Sequence, residues 1–451
     1  MINSKADNKS FYITIFILVL PMALQNLINV GVSSADVIML GKVSETVLSA
    51  SSLANQIQFI MTLIFFGLTS GAAVLTAQYW GKGDTRTIEK VLGIALRFSL
   101  VVSVIFTVVI WFFPSQAMGI FTSDKAIISE GVKFLKIISF SYIFTSITMI
   151  YLNIMRSVER VVISTIVYSI SFFVNVILNA ILIFGMFGFP KLGIRGSAIA
   201  TLTARILELI IVIIYAKKYN DVIKFKFSDL LVKDKVLFKD FLTYSIPVTI
   251  NELLWGVGTS MNAAVIGHLG KSVIAANSVA QVTRQLATVI TFGIANATAI
   301  IIGKAIGENN YEDAKNYSKR FIKLSLFAGL FGAIIILIIR PLAMRGLNLS
   351  ETAQGYLSMM MYVMSYFVIA QALNTTFIVG IFRAGGDTVV GAILDVSTMW
   401  GCSILFGILA AFVFKWSVPI VYVILMSDEI MKIPFTFWRY KSMRWLKNVT
   451  R

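Results

Sequence analysis

Apolar runs long enough to cross a bilayer recur along the whole chain, and that feature removes most of the folds open to 451 residues. A helix needs roughly 20 apolar residues to cross the ~30 Å hydrocarbon core. Twelve runs qualify: 11–37, 46–77, 89–113, 131–155, 161–187, 194–217, 240–264, 273–303, 317–341, 354–381, 388–414 and 417–439. Only 14% of residues are charged and 57% are hydrophobic, whereas about a quarter are charged in soluble domains. The chain therefore reads as an all-α integral membrane protein with 12 transmembrane helices. Its first run, FYITIFILVLPMALQNLINV, lacks a short apolar core followed by a small-residue cleavage site, so it reads as a retained span. Cys402 is the only cysteine, so neither an intrachain disulfide nor a thiolate metal site is expected.

The net charge of +17 would suit nucleic acid if it were gathered on one face. Instead it is sorted by loop. With the N-terminus in the cytoplasm, most of the 39 Lys and Arg residues fall inside: Lys5 and Lys9, Lys82 to Lys90, Arg156 and Arg160, the linker from Lys217 to Lys239, Lys304 to Lys323, Arg383, and the tail from Arg439. That asymmetry sets orientation, with both termini cytoplasmic and a multi-pass placement in the cell (plasma) membrane. The basic stretches are then expected to meet anionic membrane lipid rather than nucleic acid.

The chain is also written twice. At one constant offset Pro21 meets Pro247, Gly41 meets Gly267, Ala54 meets Ala280, Phe66 meets Phe292, Gly67 meets Gly293 and Gly81 meets Gly307. One residue off that register, NIMRSVERV meets GIFRAGGDT through Arg156 and Arg383. Each copy holds six spans, an even number, so the copies run parallel. The expected organisation is an N-terminal six-helix lobe (1–216), a basic cytoplasmic linker (217–239) and a C-terminal six-helix lobe (240–451) around a central cavity. Parallel repeats of this kind are a transporter architecture.

Two polar stripes cross the apolar background. Glu252, Trp255, Thr259 and Asn262 share one helical face, and the matching residues of the first repeat are Asn26, Asn29, Ser33 and Asp36. Glu252 lies ~18 Å into its span, and Asp36 sits ~15 Å farther along the equivalent stripe. A carboxylate facing lipid is costly, so both are candidates for an ion or proton site in the interior. Pro21 and Pro247 permit a bend beside each stripe. A static alternative pairs Glu252 with Arg284, at comparable depth in the next span. Arg205 with Glu208, and Asp428 or Glu429 with Lys432, are spaced to neutralise each other. Asp395 reads equally as a snorkelling acid or as a cavity residue. In the fifth span Tyr168, Ser171, Asn175 and Asn179 lie on one side, as helix-binding amides or as partners of Asp36. The run MMMYVMSYF reads as packing first and as soft pocket surface second.

At these residues the chain resembles the multidrug and toxic compound extrusion family, in the superfamily that also holds lipid-linked oligosaccharide flippases. DVIMLG (36–41), FFGLTSGAAVLTAQYWGKGD (65–84), NVILNAILIFG (175–185), SIPVTINELLW (245–255) and FRAGGDT (382–388) carry the likeness. The resemblance implies secondary efflux of cationic amphiphiles in exchange for sodium or protons, by rocking of two lobes. It implies that Asp36, with Asn175 and Asn179, and separately Glu252 bind the coupling ion or the substrate. Na+, as coupling ion, would sit at Asp36, Asn175 and Asn179. The sequence departs from the family pattern in the tenth span, where no acid lies between Glu351 and Asp387. Gln371 and Asn374 stand there instead, and Asp395 is the remaining acid for a second-lobe site.

The expected function is thus a multidrug antiporter, acting as a monomer on small cationic or amphiphilic molecules, with Na+ or H+ as the coupling ion and no cofactor. No nucleotide-binding G-x-x-x-x-G-K-[ST] loop occurs, so an ion gradient is the economical energy source. Cavity residues would include Asn26, Tyr168, Trp255, Asn262, Arg284, Gln371 and Asn374. A flippase for an anionic lipid-linked sugar is the alternative, and it would want more unmatched bases than Arg97, Arg205 and Arg284. An intramembrane enzyme is less favoured: His268 is the only histidine, and neither H-E-x-x-H nor G-x-S-x-G occurs.

Overall fold

The computed structural model describes residues 8–346 and 350–451, and Lys5, part of the N-terminal charge, lies outside them. Among the described residues the regular structure is all helical. In chain order the long helices are α1 (Asn8–Gly41), α2 (Glu45–Lys82), α3 (Thr85–Phe112), α4 (Lys125–Ile138 and Ser141–Ser157), α5 (Val162–Phe184) and α6 (Ile194–Tyr219). The second six are α7 (Lys235–Gly267), α8 (Lys271–Gly307), α9 (Tyr311–Gly346), α10 (Glu351–Phe382), α11 (Thr388–Val413) and α12 (Val418–Leu425 and Asp428–Lys441).

Nine of these are long and apolar enough to span a membrane unaided, and the two arms of α4, bent by 53°, make a tenth. The other two are the polar ones. α7 carries Lys239, Asp240 and Glu252, while α12 breaks at Met426–Ser427 just before Asp428, Glu429 and Lys432. The twelve helices fall into the two six-helix repeats that the sequence announces.

Local chemistry sets the helix ends. Asp84 caps α3 by accepting the Thr87 amide at 3.0 Å, and Asp124 caps α4 by accepting the Ala126 amide at 2.8 Å. Gly185 ends α5 in the left-handed region at φ 74°, where a side chain is disfavoured. The prolines of α1 and α7, Pro21 and Pro247, lie inside unbroken helices.

Helix α3 is apolar on its exposed face and carries small hydroxyl residues on its buried one, as suits a lipid surround. On α3, Val101, Ile105, Val108 and Phe112 are exposed, while Ser99, Ser103 and Thr107 are buried. Thr107 donates to the Ser139 carbonyl at 2.9 Å and Ser146 to Ser103 at 3.2 Å, which ties α3 to α4.

Two compact units are present. One holds Leu24–Thr76 and Asp84–Ser245; the other holds the described residues up to Ala23, with Ala77–Gly83 and Ile246–Arg451. In the first, the basic linker is docked along α3. Glu89 accepts the Lys224 amide at 2.8 Å, Arg86 pairs with Asp229 at 2.6 Å, and Arg97 donates to the Val232 carbonyl at 2.9 Å. Arg97 is thereby explained as a linker anchor.

In the second unit the buried Met360, Met361 and Met364 join one apolar core with Val273, Ile336, Leu357 and Tyr422, in keeping with the packing reading of that run. The repeat is also visible in one contact of this unit. Gly81 lies against the Lys304 carbonyl and Gly307 against the Gln78 carbonyl, with no room for a Cβ at either. Gly81 and Gly307 are repeat counterparts, and so are Gln78 and Lys304. The end of α2 (Ala77–Gly83) and α8 therefore meet by a reciprocal contact within this unit.

Candidate functional site

In the first unit the polar residues of α1, α5 and α6 converge. Asn179 donates its amide to Asp36 Oδ1 at 2.5 Å and to Asn175 Oδ1 at 3.1 Å, and Asn175 donates to Thr201 Oγ1 at 3.1 Å. Helical spacing produces this: Asn175 and Asn179 are one turn apart on α5, and both are buried. Asn179 Oδ1 is left as a buried acceptor with no donor among the described residues. Beside it lies a cleft lined by Asn29, Tyr168, Ser171, Asn175, Thr201, Arg205 and Glu208. Arg205 and Glu208 neutralise each other at 2.5 Å, as their spacing indicates. Asp36 has no ion-pair partner among the described residues. Asn26 is half-buried and makes no hydrogen bond in this cluster; its neighbour Gln25 is the buried residue and accepts from Ser164 at 3.4 Å. Thr201 escaped the sequence reading, although it stands one turn before Arg205 and two before Glu208.

In the second unit Glu252 pairs with Arg383 at 2.8 Å. The static alternative's partner, Arg284, is thereby replaced by Arg383. Depth along a helix says nothing about which way a side chain faces: Arg284 donates Nε to Gln281 at 2.9 Å and Nη1 to Gln371 at 3.4 Å, so it faces α10. Arg383 had been placed in a loop, but α10 closes in a π-helical segment, Thr376–Phe382, and the helix continues through Arg383. The widened turn changes the register, and π segments recur at functional sites. Asp387, from the same FRAGGDT motif, accepts hydrogen bonds from Arg439 Nε at 2.7 Å and Nη2 at 2.9 Å.

A second ionic cluster lies beside the first. Lys432 is almost fully buried and pairs with Asp395 at 2.5 Å, Glu429 at 3.1 Å and Asp428 at 4.0 Å. Asp395 also accepts from Asn251 at 3.1 Å, and Asn374 donates to Glu429 Oε2 at 2.8 Å. Of the two sequence readings of Asp395, the structure thus places it in an internal network. Trp255 and Asn262 are half-buried on α7, and Asn262 Oδ1 has no donor among the described residues. Asn251 was passed over because it precedes the more conspicuous Glu252. No group of three His, Cys, Asp or Glu among the described residues is arranged to hold a metal ion.

The two clusters differ in kind. Asp36 accepts from one neutral amide, that of Asn179, with Arg205 in electrostatic reach but paired to Glu208, whereas Glu252 and Asp395 are paired directly with bases. An acid with no directly paired base in a water-poor interior keeps affinity for a proton or a cation.

Comparison with known proteins bears on the family and the fold. The MatE family model matches residues 21–181 and again 247–409, so its two matches begin at the paired prolines. The Bacillus subtilis "Probable multidrug resistance protein YoeA" is 23% identical over 90% of this chain and 88% of its own. A "Probable multidrug resistance protein NorM" of Rhizobium meliloti is 24% identical over 83% of this chain and 81% of its own. Among solved structures, a substituted form of the Vibrio cholerae MATE transporter VcmN superposes with a TM-score of 0.88 at 15% identity, over 97% of this chain and 98% of that one. With the family model covering most of both repeats, the chain belongs to the MatE family, the multidrug and toxic compound extrusion transporters.

Proposed function

We propose that this protein is a secondary active antiporter that exports lipophilic cations in exchange for Na+ or H+, alternating its access between the two sides of the cell membrane. Both termini then lie in the cytoplasm. The reading rests chiefly on Asp36, which accepts an amide proton from Asn179 and has no ion-pair partner among the described residues. A bare carboxylate at this depth is costly, and binding a proton or Na+ lowers that cost. Asn179 Oδ1, a buried acceptor without a donor, stands ready for the O–H of a protonated Asp36 or for a bound Na+. Cargo carrying a positive charge competes for the same negative site. Exchange follows if the conformation that binds cargo releases the ion, and the reverse.

Glu252 and Asp395 take a different part. Their pairs with Arg383 and Lys432 hold α7, α10, α11 and α12 together and keep that cluster's charges matched. A flippase for anionic lipid-linked sugars is disfavoured, because Arg205, Arg383 and Lys432 are each matched by a carboxylate and Arg97 is held by the Val232 carbonyl, which leaves few bases, Arg284 among them, for an anionic cargo. The deciding experiment is efflux of a cationic dye from proteoliposomes under a sodium gradient alone and a proton gradient alone. Dye movement under neither gradient sinks the antiporter reading.

A further inference from the structure

We propose that the linker after α6 is a docking surface for anionic phospholipid, built from exposed lysines with Tyr219 and Leu231 set among them. Its level in the bilayer follows from the helices it touches. On α3 the exposed apolar residues start at Val101, whereas Ile88, Val91, Leu92 and Ala95 in the earlier turns are buried. The linker packs along those earlier turns. Glu89 accepts the Lys224 amide, the Asp229 carbonyl lies against Gly93 with no room for a Cβ, and Arg97 donates to the Val232 carbonyl. On α6 the exposed Ile206, Ile210 and Ile213 lead directly to Lys217 and Lys218. The apolar bands of both helices therefore stop where the linker lies, which sets it at headgroup level.

Its charge is not spent inside the protein. All seven lysines from Lys217 to Lys239 are exposed, and none forms an ion pair among the described residues. The three acids of the same stretch are taken by bases of other segments: Asp221 by Arg160 at 3.4 Å, Asp229 by Arg86 at 2.6 Å and Asp234 by Lys90 at 3.4 Å. Amid these lysines Tyr219 and Leu231 are 71% and 77% exposed.

The two features select one partner together. A lipid leaflet offers phosphate to the ammonium groups and, just beneath, hydrocarbon to the apolar side chains. Water, or a soluble polyanion, suits the lysines and leaves Leu231 stranded. Docking along α3 presents the backbone already ordered, so little chain entropy is lost when lipid binds. Nothing here rests on the cargo or the coupling ion, and the surface stands whether or not the antiporter reading does.

The test is lipid-selective quenching in proteoliposomes. With Cys402 replaced, a bimane fluorophore is attached at Leu231→Cys in the full chain. The vesicles are phosphatidylcholine with equal small fractions of either doxyl-labelled phosphatidylglycerol or doxyl-labelled phosphatidylcholine. The anionic lipid should quench about fivefold more strongly, the preference that one lysine's attraction to an anionic surface is worth. Lys226→Gln, Lys233→Gln and Lys235→Gln together should bring the two lipids to within about twofold. The same fluorophore at Val101→Cys, on the lipid-facing side of α3, should be quenched alike by both lipids, with or without the lysine changes. Equal quenching at Leu231→Cys by the two lipids, or quenching by neither, overturns the surface. So does a preference that survives the lysine changes, or one that is as large at Val101→Cys.

Discussion

Arg383 donates a guanidinium nitrogen to Glu252 Oε1 at 2.8 Å, and the two side chains are only 5% and 14% exposed. Removing Glu252 takes from the buried Arg383 the carboxylate that lies 2.8 Å away. Glu252→Gln should therefore lose about 3–5 kcal/mol of stability. The double variant Glu252→Gln with Arg383→Gln should regain much of that, while Glu252→Gln with Arg284→Gln should not. Thermal unfolding of the detergent-purified proteins reads both. Rescue by Arg284→Gln instead would mean that the pairing described above is wrong.

The reciprocal glycines give a second expectation. A Cβ at Gly307 overlaps the Gln78 carbonyl, and one at Gly81 overlaps that of Lys304. Backbone atoms cannot swing aside as a side chain can, so Gly307→Ala and Gly81→Ala should each cost about 1–3 kcal/mol. Gly355, which has open space around it, is the control: alanine there should be nearly neutral or slightly stabilising. Equal melting temperatures for all three variants would contradict the close approach.

The linker is held by ionic contacts, so its docking should depend on pH. Burial alone would push the Asp229 carboxyl up, but the Arg86 side chain and the Lys226 amide outweigh it and hold it below its usual value. A depressed carboxylate contributes stability that is present above its unfolded value, about 3.9, and is lost as pH falls through its folded value. Hydrogen exchange of amides between 224 and 232 should be slow at neutral pH and should quicken in strong acid. In Asp229→Asn it should already be fast at pH 7.

Orientation is tested by labelling. With Cys402 replaced, single cysteines at Lys226 and Lys447 should react only with reagent that reaches the cytoplasm, and one at Lys271 should react from outside. Labelling of Lys226 and Lys271 positions from the same side would overturn the assignment of both termini to the cytoplasm.

Apolar length and the doubled pattern made the fold legible in the sequence, because a membrane leaves backbone groups few alternatives to helix. Helical spacing also placed Asn175 and Asn179 one turn apart, while their meeting with Asp36 stood in the sequence only as one of two readings and as what the family resemblance implies. What spacing does not carry is azimuth between helices. That is why Arg284 looked like the partner of Glu252, and why Arg383 looked like a loop residue. The π-helical end of α10, which carries the chain to Arg383, leaves no periodic signature in an apolar run. Lys432 was legible only as a partner of Asp428 or Glu429 one turn earlier; its pairing with Asp395 joins α12 to α11 and needs tertiary structure.

Asp36 separates ion coupling from structure. Asp36→Asn keeps the shape, and its amide oxygen still accepts from Asn179, so the contact seen at 2.5 Å has a successor. No base loses a partner, because Asp36 forms no ion pair among the described residues. The variant should therefore purify with a stability within about 1 kcal/mol of the wild type, unlike Glu252→Gln. What it loses is a group that can exchange a proton or Na+. Dye binding in detergent should persist, weakened by the loss of one negative charge, while efflux driven by either gradient should fall to the rate of protein-free vesicles. Asn179→Leu removes the amide and leaves the acid, so it should weaken coupling without abolishing it, and its pH dependence should shift because the carboxylate loses its hydrogen-bond donor. Gradient-driven efflux by Asp36→Asn at the wild-type rate would move the coupling ion elsewhere in the molecule, and the Lys432 network would be the next place to look.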